Sequence, residues 1–202
     1  MYGIVDKVNA ELGLPSIEDM AETTTKMVDA ENGLGLDVPC GTGFVTRHLA
    51  QKKRLVYRID ISMSMLEEAT EYAWEKGIGN IRFARGMAER LPLPDDLFDG
   101  VTCSEDLHLF QDTAEALSEM ARVMKNGARL AVLTFVKQGI SALKMISERV
   151  AAGNPLDEET QDKDILHIFD VEELGNYLSQ AGFEGFAYNI YGPWILFHAE
   201  KG

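Results

Sequence analysis

Apolar positions along this chain alternate between two spacings. Short, nearly continuous apolar runs read as buried strands, and apolar residues three and four apart read as one face of a helix. A helix starts at Ser16, an N-cap followed by Glu18 and Asp19, and runs to about residue 30 within an N-terminal helical region, 1–32. Residues 34–38 are the first strand, 42–52 a helix, and 54–59 a second strand that ends at Asp60. Ser62 caps the next helix, which carries Met65, Leu66, Ala69 and Ala73 on one face. Residues 81–84 are a third strand, and Pro92, Pro94, Asp95 and Asp96 mark 86–97 as a loop. A fourth strand covers 98–103, and a helix covers 112–124 with Asn126 and Gly127 as its stop. The fifth strand, 129–136, is apolar nearly throughout, which predicts cover on both faces.

Strands alternating with helices predict an α/β sheet with parallel strands and right-handed crossovers. The end of the chain departs from that rhythm. A helix over 171–181, closed by Gly182, precedes strand-like runs 183–191 and 194–199 flanking Gly192 and Pro193. That spacing is a hairpin, so one of its strands must run antiparallel. Between the fifth strand and this helix lies 137–170, helix-like over 140–152 and then polar and acidic. It leaves the carboxyl end of a strand, where open α/β sheets bind ligands, and reads as a lid or substrate insertion.

Composition narrows the function. A length of 202 residues predicts one domain, 1–202, that can bury a core without disulfides or a structural metal. A net charge of −14 repels phosphate backbones, so nucleic acid is not an expected partner. The densest basic cluster, Lys52-Lys53-Arg54, reads as a solvated helix end. The two cysteines, Cys40 and Cys103, have no metal-ligand spacing, so no metal site is expected. No basic start followed by an apolar core opens the chain, and no apolar run approaches the ~18–20 residues of a membrane span. A cytoplasmic protein with no membrane partner is the expectation.

The chemistry concentrates where the first strand ends. Leu34-Gly35-Leu36-Asp37-Val38-Pro39-Cys40-Gly41-Thr42-Gly43-Phe44 is an apolar run, an acidic residue, a tight glycine turn and the start of a helix. Such a helix start offers backbone N–H groups to a negatively charged ligand group, and Gly41 and Gly43 allow close approach. No lysine follows the turn, and the third glycine of a dinucleotide fingerprint would fall at Thr46. A pyrophosphate usually wants that charge or more glycine, so the dinucleotide fingerprint is incomplete. A nicotinamide-dependent reductase is the competing reading, carried by the glycines and Asp60. Asp60 can accept both hydrogen bonds of a ribose diol. Gly86-Met87-Ala88 can close over an adenine ring, with Met87 and Ile61 as faces, and Ser104 lies at the carboxyl edge of the fourth strand.

The segments LDVPCGTG, YRIDISMSMLEEA, GMAERLPLPDDLFDGV and RVMKNGARLAVLTF, followed by AGF and a hairpin, together resemble the class I S-adenosylmethionine-dependent methyltransferases over roughly residues 33–201. The resemblance implies a three-layer, Rossmann-like, seven-stranded sheet with one antiparallel strand in a C-terminal hairpin. It implies S-adenosylmethionine as donor, S-adenosylhomocysteine as product and a small-molecule acceptor. By position, Asp37, Pro39, Gly41, Thr42 and Gly43 look like the turn that holds the methionine portion. Asp60 looks like the ribose carboxylate, with Ile61 and Met65 beside it; Met87 and Ala88 look like the adenine loop, and Ser104 lies near the sulfonium. Two residues depart from the family pattern: Pro39 replaces a glycine, and Met87 stands where many relatives carry an aspartate.

Methyl transfer from a sulfonium is an in-line displacement in which alignment alone supplies ~7–11 kcal/mol. A base is needed only if the acceptor loses a proton. His108 is the candidate base, although Leu107-His108-Leu109-Phe110 is also a packing pattern. His167 and Tyr191 are candidate acceptor-pocket residues, and Cys103 reads as an inert strand cysteine. Oxygen, nitrogen and carbon acceptors stay open, as does a second function: a binding or regulatory protein of this fold without turnover.

Overall fold

A computed structural model describes residues 2–28, 32–139 and 167–202. Most of the expected lid, 137–170, including its helix at 140–152, lies outside the described residues. Helices α1 (Tyr2–Glu11) and α2 (Ile17–Met27) precede strand β1 (Leu34–Asp37), α3 (Phe44–Lys52), β2 (Leu55–Asp60), α4 (Met63–Glu75) and β3 (Ile81–Arg85). There follow β4 (Phe98–Ser104), α5 (Thr113–Val123), β5 (Met124–Phe135), α6 (Val171–Gln180), β6 (Phe183–Tyr191) and β7 (Trp194–Lys201).

Among the described residues the strands form one sheet of seven, in the order β3-β2-β1-β4-β5-β7-β6. β1 pairs in parallel with β2 and β4, β2 with β3, and β4 with β5. β7 runs antiparallel between β5 and β6. The architecture matches the expectation, including the antiparallel strand that the Gly192-Pro193 turn requires. The order reverses at β1, so a crevice opens between the carboxyl ends of β1 and β4, the ligand edge of an open α/β sheet.

Local chemistry explains the boundaries. The Ser16 hydroxyl accepts from the Asp19 N–H while the Asp19 carboxylate takes the Ser16 N–H, a capping box that starts α2. Ser62 caps α4 in the expected way, and Asp170 opens α6 with a second capping box through Glu173. One reading is refined, since the helical region 1–32 holds a separate first helix, and one needs correction. α1 carries no strong apolar period or capping residue, and packing against α2 and the sheet makes it helical: Val5 and Val8 are buried with Ile17, Met20, Leu133, Trp194 and Leu196. Asn126 and Gly127 do not stop a helix. α5 ends at Val123, and both residues lie inside β5, where Gly127 adopts φ +75° and β5 shifts register against β4.

The main core lies between the sheet and α5 and α6, with Phe98, Leu107, Leu117, Met120, Leu130 and Phe197 fully buried. α2 and α3 cover the opposite face beside β5 and β2. β5 from Leu130 to Leu133 is buried throughout, as its composition predicts.

Candidate active site

The turn after β1 is tied down by carboxylates on two strands. At the end of β2, one oxygen of Asp60 accepts the Gly41 N–H at 2.8 Å and the other accepts the Ser62 N–H at 2.8 Å. Asp37, at the end of β1, accepts the Thr46 hydroxyl at 2.5 Å and the Thr102 hydroxyl at 2.7 Å, and also takes a backbone hydrogen bond from Thr46. The Gly43 N–H donates to the Cys40 carbonyl at 2.8 Å. This narrows the expectation of a helix start open to an anion. The protein's own carboxylates and a carbonyl already answer the N–H groups of Gly41, Gly43 and Thr46, and the turn forms an acidic ledge.

A charged side chain that sequence reasoning missed lies beneath the ledge. Arg58, only 1% exposed, donates to the Ala69 carbonyl at 2.9 Å and the Leu66 carbonyl at 3.3 Å. It sits 3.3 Å from where a β-carbon on Gly43 would be. A charge inside an otherwise apolar strand was the available signal. Arg58 partly offsets Asp37, whose carboxyl burial nonetheless pushes up to about 6. Burial also pushes the Cys40 thiol up to about 12 and raises that of Cys103, so neither is a nucleophile at neutral pH.

Two cavities flank the ledge. The first, about 380 Å³, is lined by Asp60, Ile61, Gly86, Met87, Ala88 and Phe110, among others. The second, about 370 Å³, includes Asp37, Thr42, Phe44, Ser104 and Glu105, with Ile17 and Ala21 of α2 as a wall. Pro39, Gly41, Met65 and Asp106 line both. Ten of the eleven sequence-predicted cofactor residues therefore line one cavity or the other; Gly43 lies one residue beyond, as the N-cap of α3 at φ +83°.

The pair of cavities fits a nucleoside joined to an amino acid. The Ser104 hydroxyl is buried without a hydrogen-bond partner among the described residues, and Ser104 lines the second cavity. A β-carbon on Gly41 would meet nothing within 4 Å, so the ledge is open on that side. The acidic lining of Asp37, Glu105 and Asp106 suits cationic groups and disfavours a pyrophosphate.

Asp106 also escaped sequence reasoning. It follows Glu105, whose φ of +69° turns the chain sharply after β4. Burial, reinforced by the nearby charges of Glu105, Asp60 and Asp37, pushes its carboxyl up to about 7. His108 instead packs inside. Its Nδ1 lies 3.3 Å from the Thr134 hydroxyl, its ring lies 4.8 Å from that of Phe135, and burial lowers its pKa to about 4. It lines neither cavity. His167 binds Glu173 at 2.6 Å, and Tyr191 packs against the buried cluster around Trp194.

Comparison with known proteins agrees with this geometry. A family model described as a methyltransferase domain matches residues 36–132. The methyltransferase YcgJ of Bacillus subtilis is 39% identical over 94 residues, which span 46% of this chain and 37% of YcgJ. The YcgJ crystal structure superposes with a TM-score of 0.72 at 19% identity, covering 91% of this chain and 98% of that one. A SAM-dependent methyltransferase from Aquifex aeolicus superposes with a TM-score of 0.70 at 23% identity, covering 96% of each chain. The ubiquinone/menaquinone biosynthesis C-methyltransferase UbiE of Francisella philomiragia is 32% identical over 179 residues, covering 81% of this chain and 72% of UbiE. The ordered motifs, the seven-stranded sheet and these relatives together make the chain a member of the class I S-adenosylmethionine-dependent methyltransferases.

Proposed function

We propose that the two cavities hold S-adenosylmethionine in an extended form and that the chain methylates a small molecule with an apolar body. The observation that carries this reading is the Asp60 carboxylate, which lines the first cavity and is anchored by the N–H groups of Ser62 and of Gly41, a residue that lines both cavities. In this reading Asp60 accepts from the ribose hydroxyls through its remaining lone pairs. Ile61, Met87 and Ala88 cover the adenine, and Thr42 and Ser104 meet the amino-acid end. When bound, the cofactor supplies a methyl carbon attached to a positively charged sulfur.

The chain's own contribution is alignment and exclusion of water. Ile17, Ala21, Phe44 and Leu133 form the apolar side of the second cavity and orient the acceptor. The UbiE relatives, described as C-methyltransferases of quinone biosynthesis, support a hydroquinone-type ring carbon as the first acceptor class to test.

Calorimetry tests the cofactor reading: micromolar binding of S-adenosylmethionine and S-adenosylhomocysteine is expected. Asp60→Ala should weaken both at least roughly tenfold, because it removes a charge-assisted acceptor and loosens the ledge. No binding at millimolar concentration would overturn it. A panel of hydroquinones, phenols and amines, read by mass spectrometry, tests the acceptor. Methylation of amines alone would sink the carbon reading, and binding without any methylated product would favour the regulatory alternative.

A further inference from the structure

Asp106 lines both cavities, alone among the described titratable residues there. On the cofactor reading above, one cavity takes the nucleoside and the other the amino acid. The atom that joins those two halves of S-adenosylmethionine is the sulfur. We propose that Asp106 is the group that reads the charge on that sulfur, favouring the sulfonium donor over the neutral thioether product.

The surroundings give this carboxylate its selectivity. Among the described residues it is crowded by acidic groups: Glu105 before it, Asp60 at the end of β2 and Asp37 at the end of β1. Glu89, in the loop after β3, lines the first cavity with it. Arg58, the cation beneath the ledge, is engaged with the carbonyls of Leu66 and Ala69 and offsets Asp37. A half-buried carboxylate crowded by like charges gains more from a cation than a fully solvated one does, because the cation relieves both desolvation and repulsion. The sulfonium supplies that cation and the thioether does not. As the acceptor's electron pair forms its bond to the methyl carbon, the pair of the broken S–CH3 bond would return to sulfur and cancel its positive charge, so the attraction to Asp106 would end with the reaction and the product would be released more readily. Because the attraction is strongest in the ground state, it favours donor over product binding and does not accelerate the chemical step.

The sign of the pH dependence follows. Asp106 is neutral well below its raised titration point near 7 and charged above it. Preference for the donor is therefore weak at pH 5.5 and strong at pH 8.5. Calorimetric titration of S-adenosylmethionine and S-adenosylhomocysteine into the intact chain across that range reads it directly, without any acceptor. The ratio of product to donor dissociation constants should rise on the order of tenfold through this range in the native protein. Asp106→Asn should flatten the rise, and Asp106→Glu, which keeps the charge, should retain it. Titration of the ligands' own amino group is common to all three proteins and cancels in the comparison.

An unchanged ratio and pH profile in Asp106→Asn would overturn the assignment while leaving the cofactor reading intact. Failure of the native protein to bind either ligand would instead strike the cofactor reading. Thermal melts of the variants separate a loss of fold from a loss of selectivity, and product affinity gives the same separation, since Asp106→Asn should bind S-adenosylhomocysteine at least as well as the native protein does.

Discussion

Asp37 and His108 are both buried near the carboxyl edge of the sheet, and burial moves them in opposite senses. The Asp37 carboxyl rises from 3.8 to about 6, so the folded state keeps a proton that the unfolded chain has lost. Its stabilising contribution is complete below pH 3.8 and is gone once the pH passes 6. Burial of neutral His108 lowers its value from 6.5 to about 4. That contribution is present above pH 6.5 and is lost as the pH falls through 4. Each shift corresponds to at most about 3 kcal/mol. Asp37→Asn removes the first titration and leaves the second. Relative to the native protein, the variant should gain in melting temperature as the pH rises from 4 to 6, on top of a constant loss from weaker hydrogen bonds to Thr46 and Thr102. A difference that stays constant across pH 4, 5, 6 and 7 would show that Asp37 titrates normally. The residues readable from the chain, Asp60 and Ser62 among them, are those whose role follows from position at a strand end or helix start. Arg58 and Asp106 escaped because their significance comes from groups on other strands.

At the scale of elements, the glycine turn separates a backbone requirement from a ligand requirement. Gly43 holds φ +83°, and a β-carbon there would sit 3.2 Å from the Ala69 β-carbon and 3.3 Å from the Arg58 guanidinium. Gly41 holds φ +47°, and its β-carbon would meet nothing within 4 Å. Left-handed backbone costs an alanine about 1–2 kcal/mol. Gly41→Ala should therefore lose about that much stability while weakening S-adenosylmethionine binding at least roughly tenfold, since its methyl group enters the space shared by both cavities. Gly43→Ala should lose more stability, because crowding adds to the same strain. Urea denaturation and calorimetry on the two variants check the order; equal stability losses would contradict it. Most element boundaries were readable because caps and apolar periods are local. The start of β5 was not, and α1 was legible only as part of a helical region over 1–32. α1 gains its helix from contacts with α2 and the sheet, and Asn126-Gly127 has the composition of a helix stop but occupies a strand irregularity.

Across the whole molecule, the C-terminal hairpin completes the sheet and covers β5. Trp194 is buried and stacks on Phe135 with ring centroids 4.3 Å apart, joining β7 to β5 beneath α1 and α2. Trp194→Ala should cost about 3–5 kcal/mol in urea denaturation, since the cavity opens between the sheet and two helices that cannot both collapse into it. A loss below about 1 kcal/mol would mean that the N-terminal helices repack freely, against what close packing leads one to expect.

What the amino-acid sequence determined by itself is the alternation of strand and helix, the hairpin with its antiparallel strand, the glycine turn and the strand-end carboxylate at Asp60. Each is a consequence of chain-local chemistry: side-chain period, capping groups, and backbone conformations open to glycine. Only the tertiary structure decided that the N–H groups of Gly41, Gly43 and Thr46 are already satisfied from within the protein, that Arg58 lies under the turn, that His108 packs inward and that Asp106 stands where two cavities meet. Those outcomes depend on which groups from distant strands share one low-dielectric edge, and burial and charge there are set by neighbours in space that no spacing along the chain encodes.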